Sequence, residues 1–295
     1  MTESITLKEM RGDKRLLVCL AHPDDESFGA PPVGTILHYA QAGVAVDYIC
    51  GTRGEAGTVD PERLAGYDSP AALRTEEMGC AAQILGFRSL HFLNYRDSGM
   101  ENSPDNGHPA ALVQAPVEVV AKKIAGLIRC LKPQVVLTFD STGGYFHPDH
   151  IHMHRATTLA FQAAGDPAQF PDQLQNGLTP HQPKKLYYLV FPKELVKLAV
   201  LLLPFFGQNP AALGRNKDVN LKRIAKVRQR VTTKIRTAAY FEAGQRAAAC
   251  HASQIEGLIK LPKFMRWWLS RSETYSRIAP PFDSGPLETD LFAGV

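Results

Sequence analysis

The chain has 295 residues, of which 44% are hydrophobic and 21% charged, and a formal net charge of +4. That balance excludes a disordered chain, and so small and dispersed a positive charge excludes the concentrated basic footprint of a nucleic-acid binder. No apolar run approaches the roughly 20 residues of a bilayer-spanning helix, so no membrane association is expected.

The opening stretch, Met1 to Leu17, mixes charges and has no apolar run before Leu16, unlike a secretory signal; a cytoplasmic location is expected. Short β-branched or aromatic runs then alternate with helix-like segments. Leu16–Leu20, Val44–Cys50, Ser89–Leu93 and Val135–Phe139 read as buried strands, separated by helices over about 29–42, 70–86 and 116–131. This alternation predicts an α/β, Rossmann-like fold with a mostly parallel sheet covered by helices on both faces. A single domain over 1–295 is expected, with its core over about 14–192 and a C-terminal extension over about 193–295. Leu195–Phe206 is too short to cross a bilayer and reads first as a buried helix or subunit contact, and second as a lid or membrane-surface element. Arg215–Arg236, rich in Lys and Arg, reads as a solvated helix face. Cys19, Cys50, Cys80, Cys130 and Cys250 are odd in number and form no CxxC pair, so all are expected to be reduced core residues. Homo-oligomerisation is left open.

Sites of parallel α/β sheets form beyond the carboxyl ends of the strands. Directly after the first predicted strand stands AHPDDESFG, Ala21 to Gly29, and directly after Val135–Phe139 stands DSTGGYFHPDHIHMH, Asp140 to His154. The adjacent carboxylates of Asp24 and Asp25 repel each other unless a cation or proton holds them. Imidazole and carboxylate suit zinc, which in catalytic sites takes three protein ligands and leaves one position open. Pro148 suits the first turn of a helix beginning near Asp149.

The paired HPDDE and HPDH motifs resemble those of the LmbE-like, or PIG-L, family of zinc-dependent N-acetylglucosaminyl deacetylases. Supporting similarity lies in GTRGEAG (Gly51–Gly57), LRTEEMGCAAQILG (Leu73–Gly86), YRDSGM (Tyr95–Met100), GYFHPDH (Gly144–His150) and CHASQ (Cys250–Gln254). The resemblance implies a hydrolase of small amino-sugar substrates with His22, Asp25 and His150 as metal ligands. It implies Asp24 as general base and His147 as acid or electrostatic partner, oriented by Asp149 and kept protonated. Tyr145 would contact the oxyanion and Arg74 the substrate hydroxyls, their other readings being a half-buried loop aromatic and a surface ion pair; Asp97 and Glu55 read either as sugar ligands or as turn caps, with Arg53 a candidate salt-bridge partner for Glu55. His152 and His154 read as supporting residues, and His251 has no role that chemistry assigns. Iron(II) is the alternative metal, in a facial triad that would use Asp24 in place of Asp25. The rival functions are an amidase of thiol conjugates, disfavoured because Phe28 and Gly29 follow Ser27, a glycine-rich nucleotide-binding module, disfavoured because AHPDDE repels phosphate, and a degenerate sugar-binding protein.

Overall fold

A computed structural model describes residues 2–7, 13–27, 32–191, 193–214, 217–255 and 262–295. Eight strands form one sheet: β1 (Glu3–Thr6), β2 (Arg15–Leu20), β3 (Ala45–Thr52), β4 (Ser89–Tyr95), β5 (Val135–Phe139), β6 (Lys185–Leu189), β7 (Thr233–Arg236) and β8 (Ser272–Ala279). Their spatial order is β1-β4-β3-β2-β5-β6-β8-β7. Strands β4, β3, β2, β5 and β6 are parallel; β1 joins antiparallel at one edge, and β8 and β7 at the other. The helices of eight or more residues, with one of seven, are α1 (Val33–Gln41), α2 (Pro70–Leu85), α3 (Val117–Leu131), α4 (Pro148–Ala163), α5 (Lys193–Leu202), α6 (Phe241–Cys250) and α7 (Lys263–Leu269).

Central strand β2 lies between β3 and β5, and Leu16 to Leu20 are fully buried. A parallel strand covered on both faces has this continuous apolar character. Chain order then decides where the chemistry sits. From β2 the chain winds through β3 to β4 on one side, then returns to β5 and β6 on the other, so the direction reverses between β2 and β5. Right-handed crossovers place the two sets of helices on opposite faces; accordingly α1, α2 and α6 pack together, and α3 packs with α4. The reversal opens a crevice at the carboxyl ends of β2 and β5, the preferred ligand position in such sheets.

Local signals explain the helix limits. Ser69 Oγ accepts the Ala72 N–H at the start of α2, Pro70 fills its first turn, and Gly86, at φ 73°, ends it. The start expected for α1 near 29 lies outside the described residues, as do Phe28 and Gly29.

Several expectations are corrected. The sheet is not confined to about 14–192: β1 precedes that span, and β7 and β8 extend the sheet from the C-terminal part. Leu195–Phe206 is not a buried helix, for although Leu203 is buried, Leu201 is 64% and Phe205 81% exposed. The basic stretch is no continuous helix; beyond residues 215 and 216, which lie outside the described residues, it holds the short turn Leu221–Ile224 and then β7. Cys19 and Cys50 are buried thiols, but Cys130 is exposed and Cys80 is bonded to Cys250. These two are 170 residues apart, and only the packing of α2 on α6 brings them together.

Candidate metal and active site

The turn after β2 carries His22, Asp24 and Asp25, and the turn after β5 carries Tyr145, His147, Asp149 and His150. The second turn depends on close packing: a side chain at Gly143, whose φ is +60°, would strike the Cβ of His150 2.5 Å away. His147 is the N-cap of α4, its Nδ1 accepting the Asp149 N–H at 3.2 Å.

His22 Nδ1 lies 3.1 Å from His150 Nε2; Asp25 lies 3.5 Å from the former through Oδ2 and 3.1 Å from the latter through Oδ1. Two ligands at about 2.1 Å on a tetrahedral zinc would lie about 3.4 Å apart; each pair approaches that spacing, with the two Asp25 contacts made through different carboxylate oxygens and Oδ2 also accepting the Ala21 and His22 N–H groups. The remaining nitrogens are also placed for that purpose. His22 Nε2 faces Asp149 at 3.1 Å and Asp97 at 3.4 Å, and His150 Nδ1 donates to the Gly143 carbonyl at 3.0 Å. Metal-ligating imidazoles commonly have their second nitrogen held in this way. Among the described residues, the sets with one donor atom from each residue close enough to share one ion are His22, His147 and His150, and His22, Asp97 and Asp149.

Electrostatics favour a cation here. Burial opposes charge on Asp25, yet His150 and His22 hold its carboxyl well below the usual range. Burial likewise opposes charge on His22, but Asp97, Asp149 and Asp25 raise its pKa well above normal. Asp24 is raised to about 6, chiefly by burial, with Arg74 opposing and the Asp25 charge adding. A divalent ion among Asp24, Asp25, Asp97 and Asp149 would relieve their mutual repulsion.

Asp24 sits beside the donor cluster and lines a cavity of about 320 Å³ together with His22, Arg74, Asp97, Tyr145 and His147. Arg74 is buried: Nη2 donates to the Pro23 carbonyl at 2.7 Å and to Asp24 Oδ2 at 3.0 Å, and Nη1 to the Gly54 carbonyl at 2.8 Å. A side chain at Gly54, at φ +72°, would collide with this guanidinium.

Three expected roles change. The Asp149 carboxylate does not hold His147; it accepts from His22 Nε2, the Ser98 N–H and Ser98 Oγ, and only its backbone reaches His147. Against the expectation that His147 stays protonated, burial and then the neighbouring His22 and His150 push its pKa well below normal. With Nδ1 accepting a backbone N–H, the neutral ring carries its proton on Nε2. Glu55 does not line the cavity; its carboxylate accepts the Asp97 and Arg53 N–H groups at 2.9 and 3.3 Å, whereas the Arg53 guanidinium reaches Glu3, Asn94 and Thr75. His154 Nδ1 donates to the Phe139 carbonyl, and His152 is buried on the same helix; neither lines the cavity. Sequence reasoning assigned no role to Ser98, Glu26 or His251 and did not mark the cavity residues Asp218 and Val219. Ser98, Glu26 and His251 stand inside YRDSGM, HPDDE and CHASQ, whereas nothing local marked Asp218 and Val219. A wider, open groove of about 510 Å³ beside α5 has neither histidine nor carboxylate in its lining.

A doubly wound sheet with a metal-competent His/Asp cluster and an adjacent carboxylate at its switch point has the architecture of a metallohydrolase. Residues 17–161 match the family described as PIG-L: GlcNAc-PI de-N-acetylase. A 1D-myo-inositol 2-acetamido-2-deoxy-alpha-D-glucopyranoside deacetylase of Thermobifida fusca is 37% identical over 82% of this chain and 84% of its own length. A protein of the same name from Kineococcus radiotolerans is 33% identical over 99% of this chain and 86% of its own. The chain therefore belongs to the PIG-L family of deacetylases. Among solved structures, the N,N'-diacetylchitobiose deacetylase of Pyrococcus horikoshii superposes with a TM-score of 0.60 at 20% identity, over 90% of this chain and 85% of that one. A 4-carboxy-2-hydroxymuconate hydratase from Pseudomonas putida superposes nearly as well, at 0.59 with 16% identity over 92% and 99%. Those two likenesses concern the fold alone. Among the described residues no helix is long and apolar enough to cross a membrane.

Proposed function

We propose that this protein hydrolyses the acetamide of an N-acetylglucosamine-type sugar, with His22, Asp25 and His150 holding zinc within a single domain. The inositol glycoside named in its relatives is the first substrate to test. The observation that carries the reading is the close approach of the three side chains, His22 3.1 Å from His150 and the two oxygens of Asp25 at 3.5 and 3.1 Å from these imidazoles, with Asp24 beside them on the cavity wall. Zinc so held would supply Lewis acidity, polarising the acetamide oxygen and lowering the pKa of water.

The protein's own groups do the rest. Asp24 takes a proton from the attacking water as the water oxygen bonds to the acetamide carbon. It then delivers that proton to the sugar nitrogen as the C–N bond breaks, so that acetate and a free amine leave. His147 Nε2–H and the Tyr145 hydroxyl donate to the oxygen on which negative charge develops; a neutral imidazole suffices for that purpose. Asp97 and Arg74 line the cavity where sugar hydroxyls would sit. Asp149, through His22 Nε2, fixes the metal-facing nitrogen as Nδ1.

Amine release from N-acetylglucosamine glycosides by zinc-loaded protein tests this reading, and one amine with one acetate per turnover is the expected result. A folded, zinc-loaded chain that releases amine from none of them would overturn it. We assign the enzyme to the cytoplasm, and the Cys80–Cys250 bond bears against that assignment because disulfides persist mainly in oxidising compartments. Thiol alkylation of protein taken directly from cytosol decides the matter: four or more alkylated cysteines agree with a reduced pair, and an unreactive pair argues for export.

A further inference from the structure

Asp24 has φ 118°, outside the region that a side chain adopts readily. Such a conformation persists only where its surroundings over-determine it. Both ends of the Pro23–Asp24 peptide group are held. At the carbonyl end, Arg74 Nη2 donates to Pro23 O at 2.7 Å. At the N–H end, Asp24 N donates to Glu26 Oε2 at 3.0 Å. The other oxygen of Glu26 accepts from Ser27 Oγ and from His251 Nε2, each at 2.6 Å, and the Glu26 and His251 side chains are both fully buried.

His251 arrives from 225 residues away and is itself fastened to α2. Its neighbour Cys250 is bonded to Cys80, and Ser253 N–H and Oγ each donate to the Glu77 carboxylate at 2.7 Å. Arg74, Glu77 and Cys80 follow at intervals of three along α2 and so share one side of that helix. One helix thereby secures both ends of the peptide that aims Asp24, directly through Arg74 and indirectly through the His251 segment.

We propose that Glu26 and His251 are positioning residues: their buried pair pins the Asp24 N–H and so holds the Asp24 carboxylate at the angle its proton transfer needs. The proposal rests on Asp24 being the base. A misplacement of about 1 Å in a reacting group can lower turnover by about 10²-fold, so a backbone clamp is sufficient to matter without touching substrate.

Removing one member of a buried ion pair would strand the other, whereas replacing both with apolar residues of similar size usually preserves stability. The paired variant Glu26→Met/His251→Leu is therefore measured in the wild-type and Asp24→Ala backgrounds for kcat, KM, zinc stoichiometry and thermal midpoint. With Asp24 present, kcat should fall about 10- to 100-fold, while KM, bound zinc and the midpoint stay near their wild-type values. With Asp24 absent, the same pair should change the residual rate by less than about twofold, because coupled residues are not additive. Wild-type kcat in the paired variant, or equal fold-losses in the two backgrounds, would overturn the clamp. Full turnover by Asp24→Ala alone would overturn the base assignment, and the clamp with it. If the pair loses its fold, Glu26→Gln and His251→Asn are compared in the same cycle, with the same pattern expected and the same patterns overturning it.

Discussion

The turns after β2 and β5 differ in kind from the span between β6 and β7. In the first region the apolar residues of β2 and β5 are buried and the polar ones are tightly partnered around one point. In the second, Leu201 and Phe205 are more than half exposed, and side-chain links to the cavity are few. Chemistry that demands fixed distances is placed where the sheet supplies them. The later span contributes Asp218 and Val219 to the cavity wall, and so bears on what enters rather than on the bond that breaks.

The contrast is tested most sharply at Asp24. Asp24→Ala should lower kcat by about 10² to 10⁴, the usual worth of general-base help, while retaining stoichiometric zinc. Asp25→Ala should instead lose the metal. The reverse pattern, with Asp24→Ala losing metal and Asp25→Ala keeping it, would return the site to the iron-type triad.

Next in size is the bond that joins α2 to the end of α6. Cys80 and Cys250 close a long loop, and removing such a crosslink typically costs about 2–4 kcal/mol. A Cys80→Ala/Cys250→Ala variant should show that loss in urea unfolding. An unchanged midpoint would mean that α2 and α6 hold each other by packing alone.

A smaller effect is expected at Asp149, which shapes the site without lining the cavity. Loss of an outer partner of a metal-bound histidine generally weakens metal affinity by about 10- to 100-fold. Asp97 also faces His22 Nε2, at 3.4 Å, so Asp149→Ala should fall near the lower end. Competition with a chelator measures it, and undiminished affinity would separate Asp149 from the metal.

These differences also explain what was legible in the sequence. A buried parallel strand writes itself as an apolar run, and the turn that follows it is contiguous in sequence, so the HPDDE and HPDH clusters could be located beside their strands, while the choice of His22, Asp25 and His150 among them came from the family resemblance. Asp149 was found but given the wrong neighbour, because HPDH puts it next to His147 in sequence while α4 turns its carboxylate toward His22. Glu55 failed similarly: its neighbour Arg53 meets it through the backbone, and the guanidinium goes elsewhere. The Glu26–His251 pair and the disulfide join elements 225 and 170 residues apart, which no local period encodes. Strands β7 and β8, which extend the sheet antiparallel beyond β6, were missed because their covering is not two-sided. β7 alternates buried and exposed residues, and only the first half of β8 is mostly buried.

The smallest expected effect concerns a link from the later span to the catalytic turn. Arg223 lies over the Phe146 ring, with its guanidinium carbon 3.9 Å from the centroid, and Nη1 donates to Glu101 Oε2 at 2.9 Å. Phe146 immediately precedes His147, and Glu101 follows Met100, which lines the cavity. Arg223 thus bridges the later span to both sides of the entrance. The side chains of Arg223 and Glu101 are at least half exposed, so the ion pair contributes only about 0–1 kcal/mol. An exposed cation–ring contact adds about 0.5–1 kcal/mol. Stability should therefore barely change in Arg223→Ala, and kcat should hold because no proton-transfer group moves. KM should rise severalfold, as Asp218 and Val219 are held less firmly against the cavity. A fall in kcat at constant KM would show instead that Phe146 transmits the contact to His147, and would place the later span within the catalytic machinery. No change in either constant would detach that span from the site altogether.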